Sequence, residues 1–231
     1  MTPTVKDPDG RSSRWDDHRE ERRAEFVHAA VTAIEEFGPD AGIAQVAEAA
    51  GVSKPVLYRY FDDKQELHNQ VVLWAADQVL AGIAPALAAG EPIRDRIAHA
   101  VASYLDLLAE HPQVFRLVLS HRRGGDALLP PGADRISASF ARVIGDAMRT
   151  LGLDAGGAEP WAHGLVGFGL GAGEWWLDRQ TMSRAAVSGY LASFIWHGFA
   201  GMAAEQGIAL EDLATPPAPA GTVTPLRKDP S

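Results

Sequence analysis

The sequence predicts an all-α protein in which a small three-helix N-terminal domain precedes a larger helical domain. Apolar residues recur with the 3.6-residue period of a helix along almost the whole chain, and no segment shows convincing strand alternation. Short stretches rich in glycine and proline divide this pattern into separate helices. With 231 residues and 46% hydrophobic content, the chain can bury the core of one large or two small domains.

The N-terminal part is predicted to form a domain over residues 16–63. Gly38-Pro39 ends its first helix, because proline cannot continue a helix, and Asp62 or Asp63 is expected to cap the long helix that follows. In chain order the predicted elements are a disordered arm over 1–15, helices over 16–37, 43–50 and 54–60, and a long helix over 64–89.

The C-terminal part is predicted to form a larger helical domain over residues 64–206. Pro112 and Pro160 lie where a first helical turn begins, and Ser183 has the position of an N-cap. After the long helix, the predicted elements are helices over 92–110, 112–122, 133–152, 159–179 and 183–206, loops over 124–132 and 154–157, and a disordered proline-rich tail over 207–231.

The most informative stretch of the chain is residues 43–64, IAQVAEAAGVSKPVLYRYFDDK. Gly51 can end a helix by adopting a positive φ, Ser53 is a preferred N-cap, and Pro55 fits the first turn of the next helix. Two short helices joined in this way form a helix-turn-helix, whose second helix can enter the major groove of DNA. The alternative is an ordinary helix hairpin within an all-helical domain.

Residues 50–53 (AGVS) and 57–64 (LYRYFDDK) resemble the DNA-binding signature of the TetR family of bacterial repressors, A-G-V-S followed by L-Y-x-x-F-x-x-K. The resemblance implies a homodimeric transcriptional repressor that binds a double-stranded DNA operator and is released from it by a small ligand. It also implies that the larger domain carries ligand binding and dimerisation. One position departs from the family pattern, since Gly42-Ile43-Ala44 stands where members usually carry a threonine that contacts phosphate.

The candidate DNA-binding residues lie in and beside the second hairpin helix. Lys54 can donate to guanine, Pro55 can make only apolar contact, and Val56 can approach a thymine methyl group. By resemblance, Tyr58 and Lys64 should contact phosphates, and Tyr60 stands where the family often has a histidine that does so; Leu57 and Phe61 should be core. The full set is Gln45 (as the substitute for the missing threonine), Ser53, Lys54, Pro55, Val56, Tyr58, Arg59, Tyr60 and Lys64.

The charge of the chain permits DNA binding without supporting it. The net charge is −9, and acidic residues outnumber basic ones in the N-terminal domain too. A site-specific protein needs cations only where phosphates lie. The alternative function is therefore a helical ligand-binding or structural dimer that no longer reads DNA, and salt-dependent binding to an operator-like palindrome would distinguish the two.

Glycines are concentrated at 164, 167, 169, 171 and 173, inside a predicted helix where each costs about 1 kcal/mol relative to alanine. Close approach of another helix, as at a dimer interface, would explain them, and so would room for a ligand. A phosphate-binding loop is rejected, because the G-x-G-x-x-G register is missing and no strand precedes it.

The last predicted helix has too wide an apolar surface for one covered face, which favours a subunit contact. By resemblance, the last two helices of two subunits would form a four-helix bundle. The alternative is burial of both faces within the monomer.

The central helices carry the candidate effector site. A mainly apolar effector is expected, because the candidate residues are aromatic or aliphatic, with few charges beyond Arg116 and Glu174. Residues 110–116 and 174–176 also resemble actinobacterial members of the family, some of them linked to lipid or acyl metabolism. The candidate ligand-binding residues are Tyr104, Leu108, Phe115, Leu119, His121, Phe140, Trp161, Phe168, Gly171 and Trp175.

Other functions are not supported by the sequence. It has no cysteine, which suits a reducing cytoplasm, and its eight histidines form no H-E-x-x-H motif. No G-x-S-x-G motif occurs either, and His163 with Glu174 is a weak pair for catalysis. We expect no enzyme activity, catalytic residue, metal or cofactor. The polar N-terminus is no signal peptide, and the longest apolar run (161–173) is too short to span a membrane, so we expect a cytoplasmic location.

Overall fold

A computed structural model of the chain describes residues 10–88, 90–124 and 131–210, and these residues fold into helices with no strand among them. The predicted all-helical class is therefore confirmed. The helices are α1 (Gly10–Phe37), α2 (Ile43–Ala49), α3 (Lys54–Leu57), α4 (Lys64–Ala88), α5 (Ile93–Glu110), α6 (Pro112–Gly124), α7 (Ala133–Thr150), α8 (Ala158–Arg179) and α9 (Arg184–Glu205).

Helix α1 begins earlier than the sequence analysis predicts. Residues 10–15, expected to be disordered, are helical, because the last proline before α1 is Pro8 and nothing between it and Asp16 must break a helix. The rest of the predicted arm, residues 1–9, lies outside the described part of the chain. At the other end of α1, Gly38 donates to the Ile34 carbonyl oxygen at 2.8 Å, which closes the helix where predicted.

Two short segments differ from their predicted form. Residues 155–157, expected to be loop, form a 3-10 turn that leads into α8. Residues 207–210 were assigned to the disordered tail, yet Ile208 donates to the Ala203 carbonyl oxygen at 3.0 Å and Leu210 lies against the C-terminal domain. The remaining tail, 211–231, and most of the predicted loop, 125–130, lie outside the described residues. Helix α4 continues through Pro85, as the predicted helix over 64–89 requires.

Helices α1, α2 and α3 make up the N-terminal unit, and its core is formed by Phe26, Ile34, Val46, Leu57 and Phe61, which are all buried. Leu57 and Phe61 are thus core residues, as predicted. Local caps define the helix ends: the Asp63 carboxylate accepts from the Glu66 amide at 2.7 Å at the start of α4.

Helices α4 to α9 make up the C-terminal unit. Helix α7 packs mainly along α8, and α5 packs against both α4 and α9. Ser183 caps α9 as predicted, since its hydroxyl accepts from the Ala186 amide at 3.2 Å. Helix α6 packs on α1 and α4 and also touches α5 and α8, so it joins the two units. No helix in the described ranges is long and apolar enough to cross a membrane.

Candidate nucleic-acid interface and ligand cavity

The α2–α3 hairpin has the geometry of a helix-turn-helix. Gly51 follows α2 with a φ of +63°, a left-handed conformation that costs glycine little. Val52 donates to the Ala47 carbonyl oxygen at 2.9 Å and closes the turn. Ser53 holds the N-cap position of α3, but its hydroxyl makes no capping hydrogen bond, contrary to expectation. That hydroxyl is exposed.

Helix α3 is shorter than predicted, since it ends at Leu57 rather than near residue 60. The chain continues as tight turns, in which Arg59 donates to the Val56 carbonyl oxygen at 3.2 Å and Tyr60 to that of Leu57 at 2.9 Å. These bonds span three residues rather than four, so the helical path tightens before Phe61 enters the core.

The predicted DNA-binding side chains of the hairpin divide into exposed and packed ones. Lys54, Pro55 and Arg59 are exposed, and Tyr58 is 53% exposed. Val56 and Tyr60, in contrast, are half-buried against the core of the N-terminal unit. The Tyr60 ring lies edge-on to Phe26 with 5.1 Å between ring centroids. With Ser53, five of the predicted side chains of the hairpin are therefore exposed, while Val56 and Tyr60 expose only their outer atoms.

The side chains of Gln45 and Lys64 each make a hydrogen bond to backbone near the helix-turn-helix. The Gln45 side-chain oxygen accepts from the Gly42 amide at 2.6 Å, which places it at the N-terminus of α2 where the threonine of the family is missing. The Lys64 ammonium donates to the Asp40 carbonyl oxygen at 2.7 Å and ties the start of α4 to the turn after α1.

The sequence analysis did not single out Arg23, whose guanidinium joins three parts of the structure. It donates to the Tyr60 carbonyl oxygen and, at 2.8 Å, to the Glu66 carboxylate, and it lies 4.6 Å from the Phe61 ring centroid. The Arg23 hydrogen bond is the main cause that lowers the pKa of Glu66, and the Asp62 amide, which donates to the same carboxylate at 2.6 Å, adds to it. Arg23 thus fixes the end of the hairpin against α1 and α4.

The C-terminal unit encloses a cavity of about 600 Å³ that is walled by helices α4 to α9. Most of its lining is aliphatic or aromatic. Six of the predicted ligand-binding residues line it: Tyr104, Leu108, Phe115, Phe140, Trp161 and Phe168. The sequence analysis missed the aliphatic faces of α5 and α7, although both follow the 3.6-residue period; they include Ile97, Ala100, Ile136, Val143 and Ile144.

Four predicted ligand-binding residues do not line the cavity. Leu119 is buried elsewhere in the core, and His121 hydrogen-bonds Gln65 of α4 at 2.8 Å. Gly171 is exposed with open space beside it, and Trp175 is 41% exposed. Gly171 and Trp175 are four residues apart, so they share one face of α8, and that face is turned outwards.

The predicted charges near the effector also lie elsewhere. Arg116 is exposed and pairs with Asp178 at 3.6 Å, and neither Arg116 nor Glu174 lines the cavity.

His121 stands beside buried His68, with 6.5 Å between the ring centroids. Burial lowers the pKa of His68, while the hydrogen bond of its ring to the Ala41 carbonyl oxygen at 3.1 Å acts in the opposite direction and the positive charge of Lys64 adds to the lowering.

Tyr104 and Gly173 show what one of the glycines in α8 does. A Cβ atom on Gly173 would lie 2.7 Å from the Tyr104 hydroxyl and 2.6 Å from Leu108 Cδ2, so α8 can approach α5 this closely only with glycine. The hydroxyl donates to the Gly169 carbonyl oxygen at 2.8 Å, and burial raises the pKa of Tyr104. Close helix approach explains Gly173, but the approach is within the monomer.

The other face of α8 and a face of α9 are exposed and apolar. Tyr190 is 66% and Phe194 is 69% exposed, and the Phe194 ring stacks on Phe168 with 5.1 Å between centroids. A Cβ atom would have open space at six glycines of the two helices, namely Gly164, Gly167, Gly171, Gly189, Gly198 and Gly201. This surface therefore combines exposed aromatic rings with glycines that have open space beside them. We call it the α8–α9 face; it includes Gly164, Gly167, Gly171, Trp175, Gly189, Tyr190, Phe194, Gly198 and Gly201.

Within the described ranges, no three acidic, histidine or cysteine side chains lie close enough together to hold a metal ion. His163, considered for catalysis with Glu174, is exposed and bonds the Glu159 carbonyl oxygen of its own helix at 3.0 Å.

Both units match known protein families. Residues 26–71 match the family described as bacterial regulatory proteins, tetR family, and residues 82–209 match the tetracyclin repressor-like C-terminal domain. An uncharacterized HTH-type transcriptional regulator of Mycobacterium tuberculosis is 32% identical over 222 residues, covering 95% of this chain and 94% of that protein. The HTH-type transcriptional activator FasR of Mycolicibacterium smegmatis is 30% identical over 184 residues, covering 78% and 84% of the two chains.

Solved structures share the fold. The transcriptional regulator FadR from Bacillus subtilis, determined in complex with stearoyl-CoA, superposes with a TM-score of 0.59 at 16% identity. The superposition covers 74% of this chain and 95% of that one.

Proposed function

Because the chain belongs to the TetR family of DNA-binding transcriptional regulators, we propose that it is a homodimeric repressor released from its operator by a mainly apolar ligand. The cavity of about 600 Å³ is the observation that carries this proposal. Its volume falls within the range of about 300–1,000 Å³ that is usual for small-molecule sites. The proposed place of action is the cytoplasm, and the proposal assigns no enzyme activity, metal or cofactor to the chain.

The lining supports a ligand with a long apolar chain. Side chains from six helices surround the space, and the Tyr104 hydroxyl is already bonded to the Gly169 carbonyl oxygen. A flexible hydrocarbon chain releases water from the apolar part of these walls. Two polar atoms of the lining, Trp74 Nε1 and His111 Nδ1, are buried without a hydrogen-bond partner among the described residues and are the exceptions to this apolar character. FadR from Bacillus subtilis, which has the same fold, holds stearoyl-CoA. We therefore propose a long-chain acyl compound as the effector, with only its apolar acyl chain inside the cavity if the compound is an acyl-CoA.

The α8–α9 face supports dimerisation. Monomeric proteins seldom expose a continuous apolar patch that carries rings such as Trp175, Tyr190 and Phe194. The bare glycines beside these rings would let a second copy approach closely, and a face that packs on its own copy gives twofold symmetry. Each dimer would then present two hairpins to the half-sites of a palindromic operator.

Sedimentation tests the dimer directly. The protein is expected to sediment as a dimer at micromolar concentration, and Phe194→Asp should give monomers or insoluble protein, because the new charge would be buried between subunits. Ala138→Asp on the exposed side of α7 is the matched control and should stay dimeric. A soluble monomer of the unmutated chain would contradict the proposed assembly.

The effector proposal is tested with an operator selected from a random DNA library. Stearoyl-CoA should weaken operator binding, and Ala100→Leu, which fills part of the cavity, should reduce that effect while leaving operator affinity unchanged. Ala109→Leu adds the same group to the exposed side of α5 and should behave like the unmutated chain. Equal responses of both variants would remove the cavity from the mechanism.

The direction of regulation needs a separate measurement, since FasR among the relatives is an activator. We expect a reporter placed behind the selected operator to fall when the protein is expressed and to recover when the acyl compound is added. A reporter that rises on expression would identify an activator, with the same sites and the same ligand.

A further inference from the structure

A side chain of the N-terminal unit caps the start of helix α6. The helix begins at Pro112, whose nitrogen has no hydrogen to donate. The next two amides, of Gln113 and Val114, donate to the Glu35 carboxylate at 3.3 Å and 2.9 Å. Glu35 lies in the last turn of α1, far from α6 in sequence. One carboxylate from the N-terminal unit therefore satisfies the free amides at the start of α6.

The same turn of α6 forms part of the cavity wall. Val114, Phe115 and Val118 line the cavity, and Val114 is 1% exposed. Val114 thus has its side chain in the cavity wall and its backbone amide on Glu35. Because valine in a helix is nearly restricted to one χ1 rotamer, a ligand that displaces this side chain shifts the backbone amide relative to α1 as well.

A second hydrogen bond of α6, between His121 and Gln65 at 2.8 Å, leads to α4 and not to α1, and the aromatic contacts at this junction are less directional. Trp74 of α4 lies edge-on to His28 of α1 and to His111, with ring centroids 6.1 Å and 5.2 Å apart. Ring packing tolerates small shifts, whereas hydrogen bonds weaken steeply as their angle changes. A carboxylate at a helix N-terminus is also attracted by the positive end of the helix dipole. The directional connection between α6 and α1 is therefore concentrated on Glu35.

We propose that Glu35 is the positioning residue that couples the cavity-lining helix α6 to the N-terminal unit. When a ligand occupies the cavity and moves α6, the two hydrogen bonds of Glu35 carry that movement to α1, on which the hairpin packs. Without them, α6 can move while α1 stays in place. The inference rests on the proposed ligand-released regulator and names the residue through which release occurs.

The experiment compares Glu35→Ala and Glu35→Gln with Glu36→Ala. Glu36 is the neighbouring carboxylate on α1 and is exposed, so its removal changes the net charge equally without touching α6. Two equilibria are measured for each variant: stearoyl-CoA binding, and operator binding with and without saturating stearoyl-CoA. The ratio of the two operator affinities is the coupling factor, which is about 5–150 for typical allosteric proteins. Hydrogen exchange at the Gln113 and Val114 amides reports the cap itself.

In the unmutated chain, the coupling factor should lie in the range of about 5–150 that is typical of allosteric proteins. In Glu35→Ala, it should fall to within about twofold of one. Stearoyl-CoA affinity should remain within threefold, and the two amides should lose their exchange protection. Glu35→Gln keeps the size and one acceptor oxygen, so it should fold even if Glu35→Ala does not, with a coupling factor below that of the unmutated chain. Glu36→Ala should match the unmutated chain throughout.

The outcomes separate the two proposals. If stearoyl-CoA weakens operator binding equally in the unmutated chain and in the Glu35 variants, the role of Glu35 is overturned while the proposed function stands. If stearoyl-CoA has no effect on operator binding by the unmutated chain, the proposed function is overturned, and the role of Glu35 with it. Reduced coupling in Glu36→Ala as well would assign the effect to net charge and overturn the inference.

Discussion

The guanidinium of Arg23 lies 2.8 Å from the carboxylate of Glu66, and this contact joins α1 to the start of α4. Both side chains are partly exposed, so solvent weakens their attraction. Each also bonds backbone at the end of the hairpin: Arg23 donates to the Tyr60 carbonyl oxygen, and Glu66 accepts from the Asp62 amide. The pair therefore fixes the hairpin between the two long helices.

The Glu66 contacts predict a specific pH dependence of stability. The pKa of Glu66 is lower in the folded chain than in the unfolded one, first because of the Arg23 hydrogen bond. Its stabilising contribution is therefore complete above the unfolded value of about 4.3 and disappears as the pH falls through the folded pKa. The free energy of unfolding of Glu66→Gln should lie below that of the unmutated chain at pH 7, and the gap should narrow in acid.

Urea denaturation at pH 7 and pH 3.5 checks this expectation, with Glu36→Gln as the control. Glu36 is exposed on α1 and has no hydrogen bond or ion pair within the described residues, so its replacement should change little at either pH. A gap for Glu66→Gln that stays the same at both pH values would show that its carboxylate is not stabilised by Arg23.

Gly173→Ala should destabilise the C-terminal unit. The new Cβ atom would lie 2.6 Å from Leu108 Cδ2 and 2.7 Å from the Tyr104 hydroxyl, so α8 must move away from α5. Overpacking of this kind costs about 1–3 kcal/mol. The control is Gly82→Ala on the exposed side of α4, where the nearest atom would be 3.9 Å away. That change should instead stabilise by about 0.5–1 kcal/mol through helix propensity. The urea midpoint should fall for Gly173→Ala and rise for Gly82→Ala. Equal shifts would refute the close approach of α8 to α5.

Ser137→Ala should stabilise the protein. Ser137 is fully buried in α7, and its hydroxyl has no hydrogen-bond partner among the described residues. An unsatisfied buried polar group costs about 1–3 kcal/mol, and alanine removes it while keeping the Cβ atom. Ser139→Ala, on the same helix but half-buried, is the control for helix propensity alone. The free energy of unfolding should rise more for Ser137→Ala. A loss of stability would mean that the hydroxyl has a partner in solution, such as a buried water.

Local sequence rules predicted much of the fold. Gly51 adopts the positive φ expected of a glycine that ends a helix, Asp63 caps α4, and Ser183 caps α9. These features depend on residues close together in the chain, so the sequence alone specifies them. The position of Arg23 between Tyr60 and Glu66 depends on how three helices meet, and no local pattern contains that information.

The face of a helix is harder to predict than its ends. Gly171 and Gly173 are two residues apart, so they lie on opposite sides of α8, one exposed and the other against Tyr104. The five glycines of α8 indicate that parts of the helix surface lack side chains, but they do not indicate which of these parts packs against another helix. For that reason the sequence predicts Gly171 and Trp175 in the ligand site, whereas both residues lie on the α8–α9 face.

The last prediction concerns base recognition by α3. Lys54 is exposed at the start of this helix, where side chains of a helix-turn-helix meet base edges. Lys54→Ala should relax the preference at one base position, and the loss on the preferred base should be about 1–3 kcal/mol. Selection from a random DNA library with both proteins measures that preference.

Lys64→Ala separates base recognition from phosphate contact. It should weaken binding to all sequences about equally and lower the salt slope of log K by about one, because a single phosphate contact is lost. Lys64 also donates to the Asp40 carbonyl oxygen at 2.7 Å, so the thermal stability of the Lys64→Ala variant must be measured as well. Lys64→Arg should partly recover both the DNA affinity and the thermal stability. If Lys54→Ala keeps both the affinity and the base preference of the unmutated chain, α3 is not the helix that reads the operator.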